Sequence, residues 1–238
     1  MFQGMGAAAD SSDIHRRRVA RAEKIIQDLS TGRLVMDLLF DQVFPAEVQS
    51  LSGVHWTPVR VARRAAQLLV ASDRTRVLDV GSGCGKLCIL GALITPGQFT
   101  GIEQRGNLVG VAQGAASALG AERASFIHGD MRDLVWDSFD SFYFFNPFYE
   151  HQVPGIAQDD SLALCAETFG DYVEVVQSKL KNLRAGTRVV TYHGLGGPMP
   201  YGYHRVLREP AGSDVLELWV KRRPHKRRKT VANSPVLA

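Results

Sequence analysis

Apolar residues along this chain form short runs that alternate with longer stretches of helical periodicity. Five runs have the length and composition of buried strands, at 76–80, 98–103, 124–128, 141–145 and 188–193. Helical spacing of apolar residues is found over 59–71, 86–93 and about 162–183. Two later runs, 203–207 and 215–220, predict a hairpin whose turn is the Pro- and Gly-containing segment 209–213.

The first fifty residues predict a helical extension. Apolar residues recur at helical spacing in 15–29, and shorter apolar segments follow at 34–40 and 43–51. We expect this extension, residues 1–55, to form a cap over the binding crevice described next; packing without any ligand contact is the alternative. Residues 1–4, ahead of a second methionine, resemble the remnant of a cleaved tag and are set aside.

The turn after the first strand is rich in glycine, with glycines at 81, 83 and 85. A strand, a glycine turn and a helix start form a crevice for a nucleotide-like ligand. A dinucleotide fingerprint needs glycine at position 86, which is Lys86. A phosphate loop needs glycine where Val80 stands and Ser or Thr where Leu87 stands. Both motifs are therefore excluded, and an ordinary tight turn is the remaining alternative to a ligand site.

Carboxylates accompany the first three strands. Asp79 lies at the end of the first strand, and Glu103 ends the second, about 20 residues past the glycine turn. That spacing places a carboxylate on ribose hydroxyls, and a carboxylate can accept two hydrogen bonds from a vicinal diol. Asp130 and Met131 follow the third strand. A solvated strand-end glutamate and a simple Gly-Asp turn are the alternatives for the last two positions.

Together these segments resemble the class I S-adenosylmethionine (SAM) methyltransferases. The matching form of their motif I is an acidic residue followed by x-G-x-G-x-G, which here runs from Asp79 to Gly85. The resemblance implies that Gly81 and Gly83, with Gly85 in the same turn, let the backbone pass close to SAM because they lack Cβ. It also implies that Asp79 faces the cationic methionine end of SAM.

The same resemblance extends to later residues and to the fold. It implies that Glu103 binds the ribose, that Asp130 holds the adenine amino group, and that Met131 packs on the adenine ring. The order of elements matches the family over 56–222. We therefore expect an α/β, Rossmann-like fold whose seven-stranded sheet is mostly parallel and ends in an antiparallel C-terminal hairpin.

A short segment upstream of the glycine turn, His-Trp-Thr-Pro at 55–58, opens a predicted helix. Thr57 suits the N-cap and Pro58 the first helical position. In amino-methyltransferases a similar aromatic-Thr-Pro segment lines the methionine end of SAM, which implies that Thr57 contacts the cofactor. A plain helix start is the alternative.

The fourth strand runs into Asn146-Pro147-Phe148-Tyr149, which is similar to the (N/D/S)-P-P-(Y/F) motif of nitrogen methyltransferases. The resemblance implies that the Asn146 oxygen and the Pro147 carbonyl accept hydrogen bonds from the target amine and aim its lone pair at the methyl group. It also implies that Tyr149 stacks on the acceptor or holds a developing cation on its ring face. Phe148 departs from the motif, which has a second proline at this position. Nitrogen remains the favoured target atom, but the departure argues against a planar base as the acceptor. An aromatic strand end with a proline turn is the alternative.

Two residues after this motif, Glu150 and His151, are candidates for accepting a proton from an ammonium substrate, with water as the alternative.

Composition indicates one domain with additions, in a globular protein of 238 residues. Hydrophobic residues make up 45%, the mean hydropathy is -0.08, and the sequence contains neither an apolar run of membrane-spanning length nor a signal peptide. Three cysteines indicate a reducing compartment, so we expect a cytoplasmic protein. Cys84 and Cys88 have no paired His/Cys cluster near them in sequence, so they predict core residues and no metal site.

Positive charge is concentrated at the C-terminus. The formal net charge is +4, yet seven Lys or Arg residues fall within 221–229, so the rest of the chain is acidic on balance. A basic run can anchor nucleic acid. A solvated, disordered tail over 223–238 is the alternative, and slightly favoured.

These residues predict a SAM-dependent methyltransferase without a metal, with a nitrogen of a protein side chain or nucleic acid as the favoured acceptor. The basic tail suggests a contact with nucleic acid. A small-molecule N- or O-methyltransferase remains open, as does a non-catalytic subunit that uses the same fold for binding.

Overall fold

The computed structural model describes residues 11–151 and 166–223, which include a mixed seven-stranded sheet. Its strands are β1 (Arg76–Val80), β2 (Gln98–Glu103), β3 (Ala124–His128), β4 (Ser141–Phe145), β5 (Arg188–Tyr192), β6 (Tyr203–Ala211) and β7 (Asp214–Lys221). The order across the sheet is β3-β2-β1-β4-β5-β7-β6. The first five strands pair in parallel, and β7 is antiparallel to β5 and β6. The predicted fold class is thus confirmed.

Helices cover both faces of the sheet. They are α1 (Ser11–Ser30), α2 (Asp37–Phe40), α3 (Ala46–Gln49), α4 (Ser52–His55), α5 (Val59–Leu69), α6 (Lys86–Ile94), α7 (Gly106–Ala118) and α8 (Ala166–Asn182), with 3-10 turns at Asp41–Val43 and Tyr149–His151. Successive strand residues alternate between faces. Val77 and Val190 belong to the core shared with α1 and α5–α7, whereas Leu78 and Val189 belong to the core shared with α8.

The strand order reverses beside β1. The chain passes outward from β1 to β2 and β3 and then returns to place β4 on the other side of β1. In open α/β sheets the crevice outside the carboxyl ends of the strands at such a switch point is the binding site. The glycine turn after β1 and the Asn-Pro turn after β4 meet at this point.

The C-terminal hairpin is longer than the sequence predicted. Strand β6 continues to Ala211, so Glu209 and Pro210 are strand residues rather than part of the turn, and Pro210 pairs with Val215. Gly212 begins the short turn with a φ of 62°. Proline is tolerated because β6 lies at the edge of the sheet that the described residues form.

The predicted N-cap role of Thr57 was wrong. Helix α5 begins at Val59 with Pro58 as its N-cap, and the Val59 N–H donates to Asp37 Oδ1 at 2.8 Å. A carboxylate from the extension thus caps the helix, which suits the positive end of the helix dipole. The Thr57 hydroxyl instead lies 3.0 Å from the Tyr143 hydroxyl.

The N-terminal extension packs against the start of α6. Lys86 is buried and lies 2.6 Å from both Asp37 Oδ1 and Asp41 Oδ1. Its ammonium group is also 5.9 Å from the Phe40 ring and 5.7 Å from the Trp56 ring. The extension is therefore fixed to the helix that follows the glycine turn.

Three predictions concern segments outside the described residues: the tag remnant at 1–4, the start of a helix near residue 162, and the tail beyond residue 223. Within the described ranges, every helix falls short of the length and apolarity that a membrane span requires.

Candidate active site

A cavity of about 560 Å³ lies at the carboxyl ends of β1, β2 and β4, a size typical of ligand sites. Its walls come from the extension, the strand ends and the C-terminal hairpin: Ser52–Trp56, Pro58, Val80–Gly81, Ile102–Arg105, Gly129, Met131, Phe145–Glu150, Tyr172, Tyr192–His193 and Ser213. A small space of about 30 Å³ adjoins it and shares four lining residues, His55, Trp56, Gly81 and Phe145.

The structure brings most of the sequence-predicted site residues to these two spaces. Those that line the large cavity are Gly81, Glu103, Met131, Asn146, Pro147 and Tyr149. Thr57 and Asp79 line the small one. Gly83, Gly85 and Asp130 line neither of them.

Glu103 places a buried carboxylate at the end of β2. Its Oε2 accepts the Gly83 N–H at 3.0 Å, and its Oε1 accepts the Arg105 N–H at 2.9 Å. Burial raises the pKa of Glu103, and these two N–H bonds oppose that rise. A carboxylate has about four acceptor positions. Glu103 can therefore still accept hydrogen bonds from a diol in the cavity.

The three glycines of the turn have different surroundings. At Gly81, where φ is 75°, a Cβ would lie 3.0 Å from Pro147 Cβ, so the glycine allows the two turns to approach closely. At Gly85, also with φ of 75°, a Cβ would lie 2.3 Å from the Phe126 ring. Gly85 is thus required for packing against β3, away from the cavity.

Asp79 is buried beneath the turn. Burial raises its pKa to about 7, although the Cys88 thiol donates to Asp79 Oδ2 at 3.6 Å and opposes this rise. A buried acid of this kind ionises readily when a cation comes close, because the opposite charge favours the carboxylate. The small cavity that Asp79 lines is therefore suited to a cationic group.

Asp130 is engaged by protein groups beside the cavity. Its Oδ2 accepts hydrogen bonds from the Arg132 guanidinium at 2.6 Å and 2.9 Å, from the Tyr172 hydroxyl at 2.9 Å and from Gln104 at 3.2 Å. Burial would raise the pKa of Asp130, but the bonds from Arg132 and Tyr172 outweigh it and hold the pKa below its ordinary value. Its Oδ1 accepts the Arg132 N–H at 2.8 Å.

Asn146 has a left-handed backbone at the end of β4. Its φ is 38°, a conformation that is strained for a residue with a side chain and most accessible to Asn and Asp. The Asn146 N–H donates to the Gly194 carbonyl at 3.2 Å, and the Tyr149 N–H donates to the Asn146 carbonyl at 3.2 Å. These bonds fix the turn that exposes Asn146 to the cavity.

Phe148 lies at the position where the nitrogen-methyltransferase motif that the sequence resembles has a second proline. Its ring is buried and stacks on the Tyr172 ring of α8, with centroids 4.9 Å apart and planes at 10°. Tyr149, in contrast, is 44% exposed at the cavity wall. The departure at Phe148 therefore anchors the turn and leaves Tyr149 accessible to a ligand.

Sequence reasoning missed a charged chain across the cavity. Arg105 is buried, with its Nη2 2.7 Å from Glu150 Oε2 and its Nη1 3.9 Å from Glu103 Oε1. His55 Nδ1 lies 3.9 Å from Glu150 Oε1. Arg105 and Glu150 are 45 residues apart, so no local pattern could have paired them.

The end of β5 also contributes residues that the sequence did not single out. His193 has φ of 57°, and its Nδ1 lies 3.0 Å from Asp214 Oδ2 while its Nε2 lies 3.1 Å from Ser213 Oγ. The Phe145 and Tyr192 rings, 5.1 Å apart, stand beside it. These contacts fix the hairpin against the side of the cavity formed by the Asn-Pro turn.

Solved structures of low sequence identity share this fold. An RNA methyltransferase from Salinibacter ruber, in complex with S-adenosyl-L-homocysteine, is 19% identical over 73% of this chain and 97% of that one, with a TM-score of 0.52. TrmN from Thermus thermophilus is 20% identical over 72% of this chain and 52% of that one, with a TM-score of 0.54. A mutant of MtNAS, in complex with S-adenosylmethionine, is 14% identical over 86% of this chain and 78% of that one, with a TM-score of 0.50.

At these identities the structural likeness extends to the fold alone. Among curated protein sequences, nothing matches this chain. A family model described as a methyltransferase domain matches residues 71–195, which is more than half of the chain. The matched segment contains the glycine turn, Glu103 and the Asn-Pro turn, and the chain therefore belongs to the methyltransferase domain family.

Proposed function

We propose that this chain transfers a methyl group from SAM to a nitrogen atom of a nucleic acid or a protein side chain. One observation carries the proposal: the glycine turn and the Asn-Pro turn meet at Gly81 and Pro147, in a cavity that also contains the Glu103 carboxylate. A donor bound on the glycine turn and an amine bound at Asn146 would therefore be neighbours.

The residues around the cavity fit SAM. Glu103 has acceptor positions left for the ribose diol, and Met131 provides a soft apolar surface for the adenine ring. Asp79, with Thr57 beside it, suits the cationic methionine end. Asp130 lies beside the cavity and remains a proposed adenine contact through Oδ1, which accepts the Arg132 N–H and has a further acceptor position, whereas Oδ2 is occupied by Arg132, Tyr172 and Gln104.

SAM, when bound, supplies a methyl group on a cationic sulfur. The chain itself contributes position and exclusion of water. The Asn146 side-chain oxygen and the Pro147 carbonyl accept hydrogen bonds from the acceptor amine, which fixes the direction of its lone pair. Tyr149 stacks on the acceptor. Glu150, held by Arg105 at 2.7 Å, presents a carboxylate in the same cavity and is a candidate for drawing a cationic amine toward Asn146.

Transfer of labelled methyl groups tests the proposal. Purified protein and labelled SAM are added to a cell extract, and the label is assigned to protein, nucleic acid or small molecules by protease, nuclease and dialysis. We expect Asn146→Ala to slow transfer about 100-fold, because it removes an orienting contact, while SAM affinity by calorimetry stays nearly unchanged.

The matched control is Gln113→Ala, an exposed side chain on α7, which should change neither quantity. Failure of the wild-type protein to bind SAM would overturn the proposal. Equal losses of affinity and turnover in Asn146→Ala would remove the acceptor role from Asn146.

A further inference from the structure

A second cavity lies outside the active site, between α5 and the edge strand β6. Its volume is about 420 Å³, and its walls are formed by Arg60, Arg63, Arg64 and Gln67 of α5 and by Glu209–Ala211 of β6. On a helix these α5 positions share one face, because residues three, four and seven apart lie above one another. We refer to this cavity as the arginine groove.

The arginine groove and the active-site cavity are lined by residues that lie close together along two stretches of the chain. Pro58 and Ser213 line the active site. Arg60 lies two residues beyond Pro58 on one wall, and Ala211 lies two residues before Ser213 on the other. From Arg60 to Gln67 the helix rises about 10 Å. A flexible ligand could therefore extend from the active site along α5.

The groove is positive on balance. Arg64 is paired with Glu209, its Nε and Nη2 donating at 2.6 Å and 3.1 Å, while Arg63 donates to the carbonyls of Gly32 and Arg33. Arg60 is exposed beside them. Three guanidinium groups thus face one carboxylate. Guanidinium groups match phosphate oxygens in geometry and remain charged at all physiological pH values.

We propose that the arginine groove binds the phosphodiester backbone of a single-stranded nucleic acid whose target base enters the active site. Exposed Tyr149 supports this assignment, because aromatic side chains stack on unpaired bases without regard to sequence. The departure from the motif at Phe148 argued against a planar base, but Phe148 is buried on Tyr172 and Tyr149 stays exposed, so a stacking surface for such a base is present. The assignment rests on the proposed methyl transfer and narrows its acceptor to nucleic acid.

Fluorescence anisotropy with the full chain tests the groove. Mixed-sequence single-stranded RNA and DNA oligonucleotides are titrated over a range of salt concentrations, with Arg60→Gln alone and with Arg60→Gln/Arg64→Gln. We expect the double variant to bind about tenfold more weakly. The slope of log affinity against log salt should fall by about 0.7 for each phosphate that the variant no longer neutralises. The RNA and DNA arms identify which backbone is preferred.

Arg74→Gln is the matched control, because Arg74 is exposed and lies just before β1, near the amino ends of the strands, whereas the active site lies at the carboxyl ends. It should leave affinity and salt slope unchanged, and SAM affinity should be unchanged in all of these variants. Affinities equal to wild type in both groove variants would overturn the assignment, as would label found in protein but not in nucleic acid. If the wild-type protein does not bind SAM, the methyl-transfer proposal is overturned instead, whatever the oligonucleotide result.

Discussion

Each glycine of the turn after β1 is needed for a different physical reason. Gly81 leaves space for Pro147, and the Gly83 N–H holds the Glu103 carboxylate. Gly85 avoids the Phe126 ring. All three have positive φ, which costs a residue with Cβ about 1–2 kcal/mol. The spacing of the glycines therefore specifies the path of the backbone. The neighbours of each glycine determine its role, which is close approach of Pro147, binding of Glu103 or packing of Phe126.

Gly85→Ala should destabilise the protein more than strain alone explains. Besides its positive φ, the new Cβ would lie 2.3 Å from Phe126. Overpacking of this kind costs a further 1–3 kcal/mol, or about 2–5 kcal/mol with the strain. Gly120→Ala is the control, since Gly120 has φ of 61° but an open environment around its missing Cβ. Urea unfolding would contradict the packing argument if both variants lost the same free energy.

The buried Asp79 carboxyl should make stability depend on pH. Its pKa is about 7 in the folded protein and about 3.9 in an unfolded chain. Between these values the folded state binds more protons, so the free energy of unfolding falls as pH rises from about 4 to about 7. Without SAM, Asp79→Asn should be more stable than wild type by about 2–4 kcal/mol at pH 8 and by about 1 kcal/mol at pH 5.

Urea unfolding at the two pH values measures this difference. Asp73→Asn, an exposed position before β1, is the control and should match wild type at both. A gain in Asp79→Asn that is the same at pH 5 and pH 8 would show that the carboxyl does not titrate in this range.

Among the elements, the extension and α6, the helix after the glycine turn, are joined by an ionic cluster around the buried Lys86 side chain. Asp37 contacts Lys86 and also caps α5 through the Val59 N–H, so a single carboxylate holds two helices. Asp41, the second partner of Lys86, also accepts a hydrogen bond from Ser52. The segment Ser52–Trp56, which lines the active site, thereby acquires a defined position.

Lys86→Met should destabilise the protein by about 3–5 kcal/mol, mainly because it leaves the buried Asp41 carboxylate without its cation; Asp37, whose side chain is 44% exposed, contributes less. Adding Asp41→Asn to this variant should recover part of the lost stability, because it removes the charge of the unpaired carboxylate. Lys24→Met is the matched control: Lys24 pairs with Asp28 but is 62% exposed, so its loss should cost less than about 1 kcal/mol. Chemical denaturation that ranks the two lysine variants equally would rule out the cluster as the anchor.

The sequence predicts the secondary-structure elements of this molecule better than the contacts between distant residues. Strand and helix order followed from local apolar patterns, which report directly on burial. The N-cap role of Thr57 was misassigned because a distant carboxylate caps α5, and the 209–213 turn was misassigned because an edge strand tolerates Pro210. The Lys86 cluster joins residues 49 and 45 positions apart, and long-range pairs of this kind leave no local signature.

In the whole molecule, the charged chain from Glu103 through Arg105 to Glu150 and His55 connects three regions. Glu103 lies on the side proposed for the cofactor, Glu150 follows the Asn-Pro turn proposed to bind the acceptor, and His55 belongs to the extension. Arg105 is 5% exposed, so its interactions with both glutamates are little screened by solvent. A substitution at one glutamate should therefore alter ligand binding at the other through the shared arginine.

Glu150→Gln should weaken SAM binding although Glu150 lies outside the proposed ribose contact. Arg105 contacts the carboxylates of Glu150 and Glu103, and its backbone N–H donates to Glu103 Oε1. Neutralising Glu150 therefore changes the position of Arg105 and the charge around it. We expect an increase in Kd of about 5-fold, within the usual range for coupling between sites, and a larger effect on acceptor KM. Calorimetry with SAM alone measures the first, and Glu174→Gln, an exposed glutamate on α8, is the control. If Glu150→Gln binds SAM as tightly as Glu174→Gln does, Arg105 holds the two glutamates without coupling them, and cofactor and acceptor bind independently.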